Sequence, residues 1–111
     1  MLNWNEYLTE LRGRIGDFGK LAPQTMEGVG ALSSVPPKHL DAKTHELIAL
    51  AVAVTTRCDG CISSHSEAAV KHGASREEIA EALGVAIALN AGAALVYSAR
   101  VFDAVSAFDK R

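Results

Sequence analysis

The sequence has few aromatic residues, few cysteines and little net charge. Its 111 residues include one Trp, two Tyr and three Phe, and basic and acidic residues nearly balance, which leaves a net charge of −2. That balance argues against a nucleic-acid-binding protein, because such a protein needs a basic face. The two cysteines lie within one tetrapeptide, so they cannot form the kind of disulfide framework that staples small secreted domains.

Long apolar runs and a leader sequence are also missing. The longest unbroken apolar run, Leu47 to Val54, is far shorter than the about 20 residues that a transmembrane helix needs. Residues 1–11 have neither the basic start nor the apolar core of a secretory signal. We therefore expect one cytoplasmic domain over residues 1–111, with no membrane anchor.

Alanine, in contrast, is abundant and occurs 19 times. It has the highest helix propensity and lets helix backbones approach one another closely. Apolar residues recur at helical spacing, and no stretch alternates with the period of two that is typical of a half-buried strand. The pattern predicts an all-α protein, a bundle of about six helices.

Caps and breakers set the predicted helix boundaries. Asp41 is typical of an N-cap, Ser75 and Glu78 form a capping box, and Gly73 is typical of a residue that ends a helix. Gly92 is expected to break the chain between the last two helices. The predicted helices cover residues 3–18, 23–32, 42–56 and 58–72, then one from 76 up to Gly92 and one from 95 to 108.

The predicted helix over residues 58–72 carries an unusual face. One side holds Cys58, Cys61, Ile62, His65, Ala68, Ala69 and His72, whereas Asp59, Ser63, Glu67 and Lys71 mostly point away. Two thiols and two imidazoles on the side that faces the core are not typical of a helix that only packs. The Cys-x-x-Cys-x-x-x-His pattern therefore favours redox chemistry over a purely structural role.

The spacing of these residues suits dithiol chemistry. Cys58 and Cys61 are helix neighbours with Cβ atoms about 5–6 Å apart, so a disulfide needs only a modest local adjustment. The pair begins a helix, where unpaired N–H groups favour a thiolate. His65 lies one turn after Cys61 and can accept its proton or stabilise its thiolate. Cys58 is then placed to attack an oxidised Cys61.

Three polar residues outside this helix look structural when each is considered alone. Glu46 lies in the first turn of the most apolar helix, where the helix dipole favours a solvated carboxylate. His39 and His45 are expected to be surface or cap residues. These positions alone predict no chemistry.

The complete pattern changes the interpretation of Glu46. The motif E-x11-C-x-x-C-x-x-x-H is formed by Glu46, Cys58, Cys61 and His65. Together with its flanks at 40–50 and 71–79, it resembles the core motif of alkylhydroperoxidase D-like proteins, which belong to the carboxymuconolactone decarboxylase superfamily. The likeness spans roughly residues 35–92. It implies a helical fold and a thiol-dependent peroxidase or disulfide reductase. It also implies that Cys61 is the peroxidatic thiol, Cys58 the resolving thiol, His65 the base and Glu46 the distal member of a proton relay.

The sequence departs from the founding type of this family in two ways. Gly60 stands where that type has a histidine, so one member of its relay is missing. The chain also has one copy of the helical unit where the founding type has two copies in each of three associated chains. Six single-unit chains would rebuild that shape, so we expect a homohexamer built from dimers.

The resemblance also implies the reactants and leaves other functions open. It implies a hydroperoxide substrate and a dithiol reductant, which would be a lipoyl domain, a thioredoxin-like protein or a partner peroxiredoxin, with no metal or other cofactor. One alternative is a lactone decarboxylase-type lyase in which His65 and Glu46 do the acid–base work. Others are a zinc-binding module that uses Cys58, Cys61, His65 and Glu46, or a slow redox sensor.

Overall fold

The computed structural model describes all residues, 1–111, and contains helices and no strands, which confirms the predicted fold class. The five helices are α1 Trp4–Leu21, α2 Pro23–Ser33, α3 Ala42–Thr56, α4 Asp59–Lys71 and α5 Arg76–Phe108. The predicted bounds of α3 match, and those of α4 differ by one residue at each end.

Side-chain caps explain where these helices begin and end. The Asp41 carboxylate accepts the backbone N–H of Thr44 at 2.7 Å and starts α3. Ser75 and Glu78 form the predicted capping box of α5, with both hydrogen bonds present. Gly73 follows α4 with a φ of +80°, a conformation that glycine adopts without steric cost. These local signals, all predicted from the sequence, are confirmed.

The predicted break at Gly92 is wrong, because α5 runs through it as one helix of 33 residues. A single glycine weakens a helix by only about 1 kcal/mol relative to alanine. Its neighbours Ala91, Ala93 and Ala94 are strong helix formers, and they continue the helix on both sides of it. The structure therefore has five helices rather than six.

Helix α3 lies at the centre of the packing. It packs against α4 on one side and α5 on another, while α1 covers α4 and α2 contacts only α1. Seven residues are buried, namely Leu8, Glu46, Leu50, Ala53, Ser63, Ala69 and Ala86. The apolar run 47–54 therefore lies in a central helix, as expected, and other helices cover that helix on two sides. Its third side, with Ile48 and Val52, remains about half exposed.

Helix α5 leaves the body of the molecule after its first half. Asn90 Nδ2 donates to Thr55 Oγ1 at 3.0 Å near the C-terminal end of α3. All residues of α5 from Ile87 to its end at Phe108 are exposed. The radius of gyration is 18.9 Å, against about 13 Å for a compact domain of this length. By length and composition, α5 is the one helix that could cross a membrane, which is a weak indication by itself.

Candidate active site

The cysteine pair lies where α4 begins. Cys58 is the N-cap residue of α4, and its Sγ accepts the backbone N–H of Cys61 at 3.1 Å. The two residues form a disulfide, with Cα atoms 5.2 Å apart. The predicted pairing at a helix N-terminus is therefore confirmed. In the reduced protein, a Cys58 thiolate at this position would interact favourably with the N-terminal end of the helix dipole.

A carboxylate from the neighbouring helix holds the histidine that follows this pair. Glu46 near the start of α3 and His65 in the second turn of α4 are 19 residues apart in sequence, yet Glu46 Oε2 lies 2.6 Å from His65 Nδ1. The Glu46 side chain is only 12% exposed, whereas that of His65 is 36% exposed. The packing of α3 on α4 thus brings together the first and the last residue of the four-residue motif.

The ionisation of Glu46 determines which nitrogen of the His65 ring carries the proton. Burial raises the pKa of the Glu46 carboxyl, but hydrogen bonds from His65 and His45 outweigh burial and hold that pKa below its usual range. An ionised carboxylate only accepts hydrogen bonds, so Nδ1 of His65 must carry the proton. In a neutral His65 ring, Nε2 is then the basic nitrogen.

The sequence does not indicate that His45 contacts this site. Its Nδ1 lies 3.4 Å from Glu46 Oε1, on the carboxylate oxygen that His65 does not use. His45 lies at the surface as expected, with a side chain that is 45% exposed, and its contact with Glu46 is the part that the sequence did not predict. A histidine directly before the motif glutamate was the available signal, but adjacent helix positions normally point in different directions.

Helix α1 occupies the place next to Gly60. A Cβ atom added to Gly60 would lie 2.7 Å from Leu11 Cδ2, so a larger side chain there requires Leu11 to move. The founding type of the family has a histidine at this position. In this protein, the side chain of Leu11 fills part of the space that such a histidine would need.

Ser63 also differs from its predicted placement. It was expected to point away from the core, yet it is buried and its Oγ donates to the Gly60 carbonyl at 2.9 Å. The reason is that α1 covers α4 on a second side, which the periodicity of α4 alone could not show. The three other predictions of this kind for α4 hold, because Asp59, Glu67 and Lys71 are exposed.

The remaining histidines lie outside this arrangement. His39 is exposed in the segment before α3, and His72 is exposed at the end of α4, where its backbone N–H caps the helix. No group of three or more His, Cys, Asp or Glu side chains is placed to hold a metal ion. The arrangement that the structure does assemble is a cysteine pair at a helix start and an imidazole bound to a buried carboxylate.

Comparison with known proteins places this arrangement in a family. The model of the carboxymuconolactone decarboxylase family matches residues 16–104. An uncharacterized protein from Haemophilus influenzae is 52% identical over 106 residues, which cover 94% of each chain. An uncharacterized protein from Cupriavidus necator is 33% identical over 105 residues, which cover 90% of this chain and 93% of that protein.

A solved structure shares the fold as well as the sequence. The crystal structure of a carboxymuconolactone decarboxylase family protein from Legionella pneumophila, in its apo form, is similar with a TM-score of 0.71 and 37% identity. The similarity covers 96% of this chain and 97% of that one. The match spans the helices that hold the cysteine pair, Glu46 and His65, and most of the chain around them. As its motif predicted, this protein belongs to the carboxymuconolactone decarboxylase family.

Proposed function

We propose that this protein is a thiol-dependent peroxidase or disulfide reductase that works through the Cys58–Cys61 dithiol. The observation that carries this proposal is the 2.6 Å contact between His65 and Glu46. It holds an imidazole one helical turn from Cys61, in the same short segment as a cysteine pair that closes a disulfide. A helix that only packs needs neither of these features.

The oxidative half of the proposed cycle starts from the reduced dithiol. Nε2 of His65 accepts the proton of the Cys61 thiol, and the thiolate attacks the hydroxyl-bearing oxygen of a hydroperoxide. The O–O bond breaks, Cys61 becomes a sulfenic acid, and the leaving alkoxide takes the proton from His65 and departs as an alcohol.

The second half regenerates the dithiol. The Cys58 thiol attacks the sulfenic sulfur of Cys61, the disulfide forms and water leaves. An external dithiol then reduces this disulfide in two exchange steps and itself becomes a disulfide. That reductant is a lipoyl domain or a thioredoxin-like protein, whereas a partner peroxiredoxin would be the disulfide that the Cys58–Cys61 dithiol reduces. Where the partner's disulfide is the substrate, the same exchange steps run in the opposite direction.

Glu46 is a positioning residue in this proposal. It does not touch the sulfur atoms, but its carboxylate fixes the Nδ1–H tautomer of His65 and stabilises the imidazolium that forms when His65 takes a proton. A charge-assisted hydrogen bond of this kind contributes about 1.5–3 kcal/mol. The cytoplasm, where thiols are kept reduced, suits such a cycle, and we include that location in the proposal.

The direct test is a hydroperoxide turnover assay with lipoyl, thioredoxin and glutathione reductants supplied in turn. We expect turnover with at least one of them, and we expect Cys61→Ser to abolish it. Ser64→Ala is the matched control, because Ser64 lies on the same helix as Cys61 and is not one of the four motif residues.

Two results would overturn the proposal. One is the absence of peroxide turnover and of partner-disulfide reduction under every reductant. The other is turnover of a lactone acid by the protein that Cys61→Ser leaves unchanged, which would establish the lyase alternative.

A further inference from the structure

The Glu46 carboxylate has an imidazole on each of its two oxygen atoms. Oε2 lies 2.6 Å from Nδ1 of His65 on α4, and Oε1 lies 3.4 Å from Nδ1 of His45, the preceding residue on α3. The proposed reaction cycle uses only the contact with His65. It leaves His45, a titratable group in contact with the site, without a role.

The ionised carboxylate determines where the proton of the His45 ring lies. Burial raises the pKa of the Glu46 carboxyl, and the hydrogen bonds from His65 and His45 lower it below its usual range. A carboxylate without a proton has only acceptor oxygens. Nδ1 of His45, like Nδ1 of His65, therefore carries a proton and donates it. Each carboxylate oxygen thus accepts one N–H···O hydrogen bond from an imidazole.

The two hydrogen bonds differ in length and so in strength. The contact of 2.6 Å to His65 is as short as charge-assisted hydrogen bonds become. The contact of 3.4 Å to His45 is longer than the usual range of about 2.7–3.2 Å. His65 is therefore the main partner of Glu46, and the effect of His45 must be smaller than that of Glu46 itself.

A second donor restricts how the carboxylate can turn. The last torsion of a glutamate side chain joins an sp³ carbon to an sp² carbon and has a broad distribution of angles. One hydrogen bond therefore does not fix the plane of the carboxylate. A donor on each oxygen does, because both oxygens must then stay beside their partners. His45 ties the carboxylate to its own helix, and His65 ties it to α4.

The burial of Glu46 adds a reason for the second donor. The Glu46 side chain is 12% exposed and has little contact with water, whereas the His45 side chain is 45% exposed. A carboxylate oxygen that loses water needs a donor from the protein. No imidazole lies between the cysteines, where Gly60 stands. His45 is thus the second imidazole that this chain brings to its motif residues.

We propose that His45 is a positioning residue of the dithiol site, which holds Oε1 of Glu46 so that Oε2 stays on Nδ1 of His65. This arrangement keeps the proton on Nδ1 and leaves Nε2 of His65 free to accept a proton from a thiol. Without His45 the carboxylate turns more freely, and a larger fraction of His65 rings carries the proton on Nε2. The inference rests on the proposed function, because this tautomer matters only where His65 is the base.

The tautomers can be measured directly in the reduced protein labelled with ¹⁵N-histidine. Long-range ¹⁵N–¹H correlation spectra at about pH 8, above the value of about 6.5 for a model histidine, distinguish protonated from unprotonated ring nitrogens. We expect both His45 and His65 to be protonated at Nδ1. His45→Ala should at least double the fraction of His65 that is protonated at Nε2. His39→Ala is the matched control, because His39 is exposed before α3, and it should leave the His65 signals unchanged.

A conservative substitution separates the donor from the rest of the His45 side chain. In His45→Asn, the amide nitrogen of the asparagine takes the place of Nδ1 and can donate to Oε1. His45→Ala should lower kcat/KM for the hydroperoxide about 2- to 10-fold, as expected for the loss of one neutral hydrogen bond. The loss should appear in kcat, because His45 acts through Glu46. His45→Asn should recover at least half of the wild-type kcat/KM, and His39→Ala should retain all of it.

Either measurement can overturn the proposal. In the spectra, the contradicting results are a wild-type His45 without a proton on Nδ1, or a His65 tautomer that His45→Ala leaves unchanged. In the kinetics, they are a His45→Ala variant as active as the wild type, or equal losses in His45→Ala and His45→Asn. If the wild-type protein shows no turnover at all, the proposed function fails, and the spectra alone decide the role of His45.

Discussion

The region around the cysteine pair is packed against other helices of its own chain, whereas the second half of α5, residues 91–108, is not. We call these residues the arm. Five of the seven buried residues lie on α3 and α4, and they include the carboxylate that holds His65. The arm, although it is part of the longest helix, has no buried residue at all. Within one chain, tertiary packing is therefore concentrated where side chains must be held in position.

The two regions therefore have different structural requirements. The cysteine pair needs Glu46 and His65 at fixed distances, and α3 and α4 satisfy that need through contacts inside the chain. The apolar area of the arm stabilises nothing within the chain and is available for association. Substitutions in the two regions should therefore have different consequences, which the following predictions exploit.

Among substitutions that keep both cysteines, the largest expected effect is that of Glu46→Gln on turnover. The amide cannot stabilise the His65 imidazolium, and the loss of a charge-assisted hydrogen bond of about 1.5–3 kcal/mol corresponds to a ~10- to 150-fold lower kcat/KM. The mass of the expected homohexamer, measured by light scattering, should stay at the wild-type value. Loss of both activity and assembly in this variant would mean that the two regions are not separate.

The next effect concerns the thiols. In the reduced protein, the helix start and His65 should lower the pKa of at least one cysteine below the free value of about 8.5. The rate of alkylation against pH should then show an inflection well below about 8.5, and His65→Ala should move it upward. Leu95→Glu in the arm should leave it in place. An inflection that His65→Ala does not move would remove His65 from thiol activation.

The stability of the protein should depend on pH through the Glu46 carboxylate. The pKa of Glu46 is lowered in the folded protein, so its ionised form stabilises the fold. That stabilisation is complete above the unfolded value of about 4.3 and is lost as the pH falls through the lower, folded value. Denaturant unfolding of wild type and Glu46→Gln should therefore converge at acid pH. His45→Gln should reduce the difference in part, because it removes one of the two imidazoles at this carboxylate.

The smallest effect is expected at Gly60. Replacing a helical glycine by alanine stabilises by about 0.5–1 kcal/mol, but here the new Cβ displaces Leu11. Gly60→Ala alone should change the unfolding free energy little, and in a Leu11→Ala background it should stabilise. A double-mutant cycle measures this coupling, and purely additive effects would show that α1 does not restrict the position.

The features that the sequence predicted correctly are local ones. The Asp41 cap and the Ser75–Glu78 capping box depend on residues three apart, so their patterns can be recognised without knowing the packing. The continuity of α5 is not predicted by the glycine at position 92, because the alanines on both sides of Gly92 outweigh its cost of about 1 kcal/mol.

Contacts between helices account for the other differences. Ser63 is buried because α1 packs on α4, and His45 reaches Glu46 although the two are adjacent on α3. Neither contact has a periodic signal in the sequence. The burial of Glu46 is not predicted by the sequence. Its own helix position suggests a solvated carboxylate, and the resemblance to a known family implies only its role in a proton relay.

The order in which the two cysteines react is the most direct measure of the proposed chemistry. Cys58 is at the helix N-cap, where the dipole contributes about 0.3–1 kcal/mol to a thiolate. Cys61 is one turn from His65, and a hydrogen bond to a charged partner is worth about 1.5–3 kcal/mol. The larger contribution favours Cys61 as the attacking thiol.

Trapping the sulfenic acid with dimedone after hydroperoxide treatment, followed by mass spectrometry, measures this order. We expect Cys58→Ser to carry the adduct on Cys61 without turning over, and Cys61→Ser to carry none. An adduct on Cys58 of the Cys61→Ser protein, with none on Cys61 of the other variant, would contradict the assignment. If neither variant carries an adduct on its remaining cysteine, the proposed peroxidase activity is contradicted.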